Sequence, residues 1–337
     1  MTARRVRPAL LVVGAILAGS SIRGGDAATA DPTALVERVE RLERELDRAQ
    51  REASVERGAR LFARACAACH GRNGRGDGPA ASDLHPPPRD LSARQIRFRT
   101  TATGQAPRPE DLQRTLRNGL PGTAMPAFGD LFSDREVAEL IGFIDSLRPD
   151  AGPGTTLPQP LTIPTVAPAG SSTLEEGRSL YLLLGCWRCH GVNGAGRGPS
   201  AATLTDDDGR PIRTTDLRHD PFKGGRDAQA VVRTLLTGLN GSPMPDYGEA
   251  MLIGADGDPG DLPTTEQLGD GDAAALERFF GASPTRKALD AMTQDERTEL
   301  RDRRLSALAH YVLSLDRRRG AGHWLLRAQP EREARRP

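Results

Sequence analysis

Apolar residues recur at intervals of three and four in several stretches of the chain, which predicts a mainly helical protein. The predicted helices span residues 109–118, 133–147, 227–237 and 293–315. A capping box within residues 172–176 predicts the start of a further helix. The stretches between these helices are rich in Gly and Pro, and we interpret them as loops.

Residues 31–55 carry a heptad pattern. The apolar residues alternate spacings of four and three: Leu35, Val39, Leu42, Leu46, Ala49 and Ala53. Charged residues of both signs lie between them, as at the positions that flank a coiled-coil seam. The pattern predicts an exposed helix that pairs chains or docks a partner. The alternative is an amphipathic helix folded back on its own domain, because the stripe is short.

The rest of the chain repeats one pattern twice. The string CHGRNGRGDGPAA from Cys69 returns as CHGVNGAGRGPSA from Cys189. The string GLPGTAMP at 119–126 returns as GLNGSPMP at 238–245. We therefore predict two copies of one domain, at 56–149 and 172–318, joined by a Pro- and Gly-rich linker at 150–171.

The second copy is longer than the first by about 49 residues, which form an insertion at about 248–300, where surface insertions are tolerated. No Lys or Arg lies between Arg233 and Arg278, so the insertion is acidic. It either steers a basic partner or is a solvated loop. The tail at 319–337 is basic and either contacts an anionic membrane or acidic partner or is a solvated terminus.

Residues 1–30 have the features of a signal peptide. Arg4, Arg5 and Arg7 precede an apolar run at 8–22, and an A-x-A site ends at Ala30. The run is shorter than a membrane span of about 20 residues. We expect a cleaved signal and a periplasmic protein; an uncleaved anchor stays open and would bring membrane association.

The amino-acid composition narrows the range of possible functions. The formal net charge is +1, so charge gives no support for nucleic-acid binding or for a general attraction to anionic membranes. Aromatic residues make up only 4% of the chain, which is low for two cores. Small domains with thin cores commonly need a metal, a disulfide or a cofactor.

All four cysteines fall in two CxxCH strings, Cys66-Ala-Ala-Cys69-His70 and Cys186-Trp-Arg-Cys189-His190. This is the attachment pattern of c-type haem, in which the thiols bond to the porphyrin vinyl groups and the histidine binds the iron. The alternatives are a zinc site or redox dithiols. Zinc-binding CxxC pairs usually lie about 15–20 residues apart, whereas these are 117 residues apart. A redox dithiol needs no histidine after its second cysteine.

Met125 and Met244 are the predicted ligands on the other side of each iron. Each precedes a proline, and they follow Cys66 and Cys186 by 59 and 58 residues. The alternative is that both are core residues. Rival histidine ligands are His85, His219, His310 and His323.

Together, the CxxCH strings, the Met-Pro strings and the closing helix of each copy resemble class I c-type cytochromes in tandem di-haem form, over about 56–150 and 172–318. The resemblance implies two small three-to-four-helix domains with one exposed haem edge each. It implies two covalently bound haem c groups, with proximal ligands His70 and His190 and distal ligands Met125 and Met244. The four cysteines are then the thioether anchors.

The resulting hypothesis is electron transfer between a redox donor and acceptor outside the cytoplasm. Two irons ligated by His and Met have no open coordination position, and we single out no catalytic residue. The alternatives are a cytochrome subunit of a larger oxidase or dehydrogenase complex and a di-haem peroxidase-like enzyme.

Overall fold

A computed structural model describes residues 32–93, 96–148, 156–257 and 262–317. The predicted signal peptide, the basic tail, part of the linker, and Asp258 and Asp261 of the insertion lie outside the described residues. Within that part of the chain the structure is helical, with no strand beyond an isolated antiparallel bridge between Thr205 and Pro211. The prediction of a mainly helical protein is confirmed. None of the described helices is long and apolar enough to cross a membrane.

The described helices fall into two similar series. The first is α1 (Pro32–Ala65), α2 (Ala67–His70), α3 (Pro109–Asn118) and α4 (Asp134–Ser146). The second is α5 (Ser171–Leu183), α6 (Cys186–His190), α7 (Ala228–Thr237), α8 (Asp272–Ala282), α9 (Arg286–Ala291) and α10 (Gln294–Ser314). Short 3₁₀ turns lie at Ala81–Asp83, Ala201–Thr203 and Glu249–Met251.

Helix ends follow the capping residues. Ser133 and Thr293 each accept a hydrogen bond from the third helical amide and form a capping box with a glutamate, and Asp227 caps α7. The start of α5 differs from the prediction. Its N-cap is Gly170, whose amide donates to Thr173 Oγ1 at 3.2 Å, so the helix begins before the expected capping box.

Helix α1 begins in a unit of its own, which ends at Glu52. Its heptad residues are exposed: Leu35 by 50%, Val39 by 44%, Leu42 by 54% and Leu46 by 58%. The helix continues without a break through Gly58 to Ala65. An exposed helix at the N-terminal end is therefore what the structure contains.

The first core forms where the end of α1 crosses α4. A Cβ at Gly58 would collide with the Glu139 carbonyl, so only glycine permits this approach. Phe62 packs on Phe143 with ring centroids 5.0 Å apart, and Arg57 Nε donates to Glu139 Oε1 at 2.6 Å.

The second core repeats this crossing between α5 and α10. Gly177 meets the Ala307 carbonyl as Gly58 meets that of Glu139, and Tyr181 packs on Tyr311 at 5.4 Å. The matched glycines and aromatic pairs show that the duplication extends to the packing. Helix α7 also packs on α10, and α8 packs on α5.

The acidic insertion is folded onto the second core. Leu276 and Phe279 of α8 and Met251 of the preceding 3₁₀ turn are buried in the same cluster as the helices of that domain. Arg304 of α10, 1% exposed, donates to the Met251 carbonyl at 2.7 Å and to that of Ile253 at 2.9 Å. The expectation that the insertion is merely a solvated loop is wrong for these residues, because they complete the core.

The described part of the linker is extended and is held along its length. Leu161 N donates to the Thr100 carbonyl at 2.7 Å, and Arg108 Nη1 donates to the Pro158 carbonyl at 2.8 Å. Further on, His310 Nε2 donates to the Ala167 carbonyl at 2.7 Å. These contacts attach the linker to both copies.

Candidate haem-binding sites

Each CxxCH histidine is oriented by a backbone carbonyl. His70 Nδ1 lies 3.0 Å from the Arg89 carbonyl oxygen, and His190 Nδ1 lies 3.1 Å from that of Thr215. A carbonyl oxygen only accepts, so Nδ1 carries the hydrogen in both rings and Nε2 keeps its lone pair. Metal-binding histidines are commonly oriented in this way by the nitrogen that does not bind the metal.

The same two rings favour the neutral form. Burial lowers the pKa of His70 and of His190, and the hydrogen bond to the carbonyl opposes this only in part. A neutral imidazole is the form that binds iron.

The backbone after each histidine folds in the same way. Gly76 N donates to the His70 carbonyl at 2.9 Å, and Gly196 N donates to that of His190 at 2.7 Å. Leu91 N then closes the loop on the Gly74 carbonyl, as Leu217 N does on that of Gly194. The repeated strings at 69–81 and 189–201 therefore encode one loop that brings a carbonyl to each imidazole.

All four cysteines are partly buried, and Cys66 and Cys186 lack the lowered thiol pKa of redox dithiols. Burial raises the pKa of Cys66 to about 11 and that of Cys186 to about 12, whereas reactive dithiols have lowered values. Cys66 packs on the first core and Cys186 on the second, so the two pairs belong to separate sites.

Each Met-Pro string forms a turn against the core that holds its CxxCH string. Met125 packs on the same core as Cys66, and Met244 on the same core as Cys186. Leu120 N donates to the Met125 carbonyl at 3.1 Å, and Leu239 N donates to that of Met244 at 3.0 Å. Each methionine therefore shares a core with the first cysteine of the CxxCH string of its own domain.

Glycines at the start of both turns are required by the backbone. Gly119 and Gly238 have φ of 62° and 59°, in the left-handed region that favours glycine. A Cβ at Gly119 would collide with the backbone of Pro126 and Ala127, and one at Gly238 with the Asp246 amide. The chain therefore reverses tightly after α3 and α7 and returns each methionine to its core.

The rival histidines are placed differently. His219 is half exposed, and its Nδ1 lies 3.2 Å from Asp216 Oδ2. His310 is engaged with the linker, and His85 is exposed. His323 lies outside the described residues.

The surroundings of the second CxxCH string fit a cofactor that carries carboxylates. Trp187 Nε1 and Thr214 Oγ1 are buried and make no hydrogen bond within the described part of the protein. Buried donors normally have partners. Haem brings two propionate groups, which accept hydrogen bonds, and so is compatible with these donors.

Three residues near the sites were not found by sequence reasoning. Arg89 and Thr215 act through their carbonyls, which no side-chain motif identifies. Arg178 donates to the Val192 carbonyl just after the second CxxCH string, at 2.5 Å, and pairs with Asp272 of the insertion. Its counterpart in the first copy is Ala59, so comparing the copies gave no signal.

Two helical cores, each combining a CxxCH turn with a Met-Pro loop, define a c-type cytochrome. Residues 53–144 match the family described as cytochrome c oxidase, cbb3-type, subunit III, and residues 174–316 match the family described as cytochrome c. The chain therefore contains two cytochrome c-type domains in tandem. Such domains bind haem c covalently and transfer electrons with redox partners.

One solved structure is similar over most of the chain. It is a chain of the reducing HAO-like protein complex Kustc0457/Kustc0458 of Kuenenia stuttgartiensis, 29% identical, with a TM-score of 0.60. The match covers 77% of this chain and 96% of that chain. Comparison with curated proteins gave no match.

Proposed function

We propose that this protein is a periplasmic electron-transfer cytochrome that holds two haem c groups, one in each domain of the boundaries 56–149 and 172–318. His70 and Met125 ligate the first iron, and His190 and Met244 ligate the second. Cys66, Cys69, Cys186 and Cys189 are the thioether anchors. The observation that supports the proposal is the repeated geometry, in which each imidazole is fixed through Nδ1 and the first cysteine of each CxxCH string packs on the same core as a methionine turn.

Haem supplies reversible one-electron oxidation and reduction when bound. The protein's own groups then determine how it behaves. The Arg89 and Thr215 carbonyls hold the imidazoles in one tautomer, and each glycine turn returns a thioether to the core, where it would supply the second protein ligand to the iron. Thioether ligation raises the reduction potential relative to bis-histidine ligation and leaves no position for a substrate.

The test is an absorption spectrum of the purified protein, with haem quantified per chain as the pyridine complex. We expect two haems per chain, both low-spin, and a weak near-infrared sulfur-to-iron band in the oxidised form. A single haem per chain contradicts the stoichiometry. A large high-spin fraction contradicts closed His/Met coordination and favours the peroxidase-like alternative, which needs an open iron.

A second candidate is that the chain is a subunit of a larger redox complex. The similar solved structure is named as a complex of two proteins. The exposed heptad residues of α1 supply a surface for self-association or for docking a partner. Copurification of a second protein in stoichiometric amount from the native source supports this role; isolation of the chain alone supports a free carrier.

The periplasmic location rests on the pattern of residues 1–30 and on the cytochrome c class. Mass spectrometry of the mature protein tests it. Cleavage before Asp31 is expected, whereas retention of residues 1–30 indicates a membrane-anchored form.

A further inference from the structure

A segment of the first domain contacts the methionine turn of the second. This bridging segment, residues 97–105, lies against the end of α7 and the second methionine loop, which we define as residues 238–244. Arg99 is its central side chain and is 0% exposed. Its Nη2 donates to the Thr237 carbonyl at 2.6 Å, and its Nη1 lies 3.5 Å from that of Gly238.

The remaining contacts of the bridging segment reach further along the same loop. Arg97 Nη2 donates to the Gly241 carbonyl at 3.2 Å. Gly104 N donates to Asn240 Oδ1 at 2.9 Å, and Asn240 Nδ2 donates to the Gln105 carbonyl at 3.3 Å. The second methionine loop is therefore bound from Thr237 to Gly241 by groups of the other domain.

Thr103 of the bridging segment also contacts the end of α7 and the residue that follows the Met-Pro string. Its hydroxyl lies 3.1 Å from the Thr237 carbonyl and 2.7 Å from Asp246 Oδ2, on the two sides of the loop. Thr237 ends α7, where carbonyls have no partner within the helix and carry partial negative charge. A buried guanidinium is well suited to bind them, because its planar fork donates in fixed directions.

The first methionine loop is residues 119–125. Both methionine loops have an internal hydrogen bond, since Thr123 Oγ1 donates to the Leu120 carbonyl as Ser242 Oγ donates to that of Leu239. The first loop's approach to the other domain is at Gly122, where a Cβ would lie 3.0 Å from the Pro221 ring. Counted from the matched Asp90 and Asp216, the counterpart of Arg99 is Gly225, which has no side chain to make this contact; counted from the matched Arg114 and Arg233 it is Arg218, which pairs with Asp216.

We propose that Arg99 is a positioning residue for the opposite domain, which fixes the second methionine loop so that Met244 stays on the second iron. The second haem's ligation then depends on the first domain, whereas the first haem's ligation does not depend on this contact. The inference rests on the proposed role of Met244 as a ligand. Burial lowers the pKa of Arg99 to about 10, so the guanidinium is still charged at neutral pH.

The test uses the full-length protein with its haems and compares Arg99→Ala, Arg99→Lys and Thr103→Val with Arg108→Ala. Arg108 is the matched control, because it also donates to a carbonyl, that of Pro158, but in the linker. Two quantities are measured. One is amide hydrogen exchange in the two methionine loops. The other is the near-infrared band, whose contributions from the two haems are separated beforehand with Met125→Ala and Met244→Ala.

In Arg99→Ala we expect exchange in residues 237–244 to accelerate about tenfold, the scale of lost charge-assisted hydrogen bonds, with residues 119–125 unchanged. The contribution of Met244 ligation to the near-infrared band is lost or weakened, and the contribution of Met125 ligation is unchanged. Arg99→Lys should give a smaller effect than Arg99→Ala, because lysine keeps the positive charge but lacks the planar guanidinium that donates in fixed directions. Thr103→Val gives a smaller effect in the same direction and serves if Arg99→Ala fails to fold.

Three results overturn the inference. The first is unchanged exchange in residues 237–244 in both Arg99→Ala and Thr103→Val. The second is equal acceleration in both methionine loops, which indicates general destabilisation. The third is faster exchange with an intact Met244 band, which shows that the contact does not control ligation. Absence of a Met244 band in the unmutated protein instead refutes the proposed ligation, and exchange still reports whether Arg99 holds the loop.

Discussion

At the scale of single residues, the first prediction concerns the two proposed methionine ligands. We expect Met125→Ala and Met244→Ala each to remove one contribution to the near-infrared band and to lower the reduction potential of one haem, because a thioether ligand raises it. Met251→Leu is the matched control. Met251 is fully buried in the second core and has no counterpart in the first copy, so a substitution of similar volume should leave the spectrum unchanged. Loss of the band in Met251→Leu contradicts the assignment.

The pair of Arg178 and Asp272 attaches the insertion to the second site. Arg178 Nη2 donates to Asp272 Oδ2 at 2.6 Å, and Nη1 donates to Tyr311 at 2.7 Å. The side chains of the pair are 16% and 10% exposed. Removing one partner of such a pair leaves an uncompensated charge, so Asp272→Ala should lower the free energy of unfolding by about 3–5 kcal/mol. Asp290→Ala, which breaks an exposed pair with Arg286, should cost only about 0.5 kcal/mol.

The same carboxylate predicts a pH dependence. Burial raises the pKa of Asp272, but hydrogen bonds from Arg178 and the Gly269 amide outweigh it and lower the pKa below its ordinary value. A lowered pKa stabilises the fold above the carboxyl's ordinary range, and that stabilisation is lost as pH falls through the folded-state pKa. Denaturant unfolding across that range should therefore show the difference between the unmutated protein and Asp272→Asn shrinking with acid. A constant difference contradicts the assignment.

The sequence predicts the positions of the reactive side chains but not what holds them. The residue types and spacing of the CxxCH and Met-Pro strings predict that Cys66, His70 and Met125 belong to one site. The Arg89 carbonyl belongs to a loop whose path depends on the tertiary fold. Arg99 was missed for a related reason, since its partners are backbone carbonyls of another domain.

At the scale of elements, helix α1 has a solvent-exposed apolar stripe. Positions 35, 39, 42 and 46 form the seam, and in a parallel pair Arg38 lies across from Glu43 of a second copy. Sedimentation of the mature protein should show self-association that is lost in Leu42→Glu and Leu46→Glu. Arg51→Gln, on the opposite side of the helix, should have no effect. The self-association claim is falsified if the unmutated protein is a monomer at micromolar concentration, which leaves docking of a different partner.

Helix prediction succeeded where periodicity and caps agree, as for α3, α4, α7 and α10. It failed in the insertion. Helix α8 follows Gly271 in the left-handed conformation and has no side-chain cap, so no residue type marks its start. Helix α9 spans only 6 residues, too few for a periodic pattern. Helix α8 buries Leu276 and Phe279 in the second core, and α9 buries Leu289, and sequence alone does not reveal this burial.

At the scale of the whole molecule, the two copies have similar folds but differ in the contacts that support their candidate haem sites. The second carries the insertion, the Arg178 contacts and a methionine loop bound by the first domain. Arg89, whose carbonyl orients His70, in turn interacts electrostatically with the acidic turn at Asp206 and Asp208 of the second domain. Each site is therefore adjoined by groups of the other copy, which favours a single electron-transfer unit over two independent domains.

The charge distribution gives the last prediction. The net charge is only +1, so any steering of a partner must come from a local surface. Two acidic residues have structural roles, since Asp246, just before the insertion, contacts Thr103, and Asp272 of the insertion contacts Arg178. The exposed carboxylates of the insertion include those of Glu249, Glu266, Asp270 and Glu277. They follow the second methionine loop in the chain, so we expect them to attract cationic redox partners to the second haem.

Small redox reagents test this without a known partner. Reduction by hexaammineruthenium(II), a cation, should slow as salt is added and should slow when the four carboxylates are replaced by their amides. Reduction by an anionic reagent should change in the opposite direction. Replacing Asp83 and Asp130, exposed in the first domain, by Asn is the matched control and should leave the second haem's rate unchanged. Rates indifferent to salt and to the amide substitutions would leave the insertion with a purely structural role, completing the second core through Leu276 and Phe279.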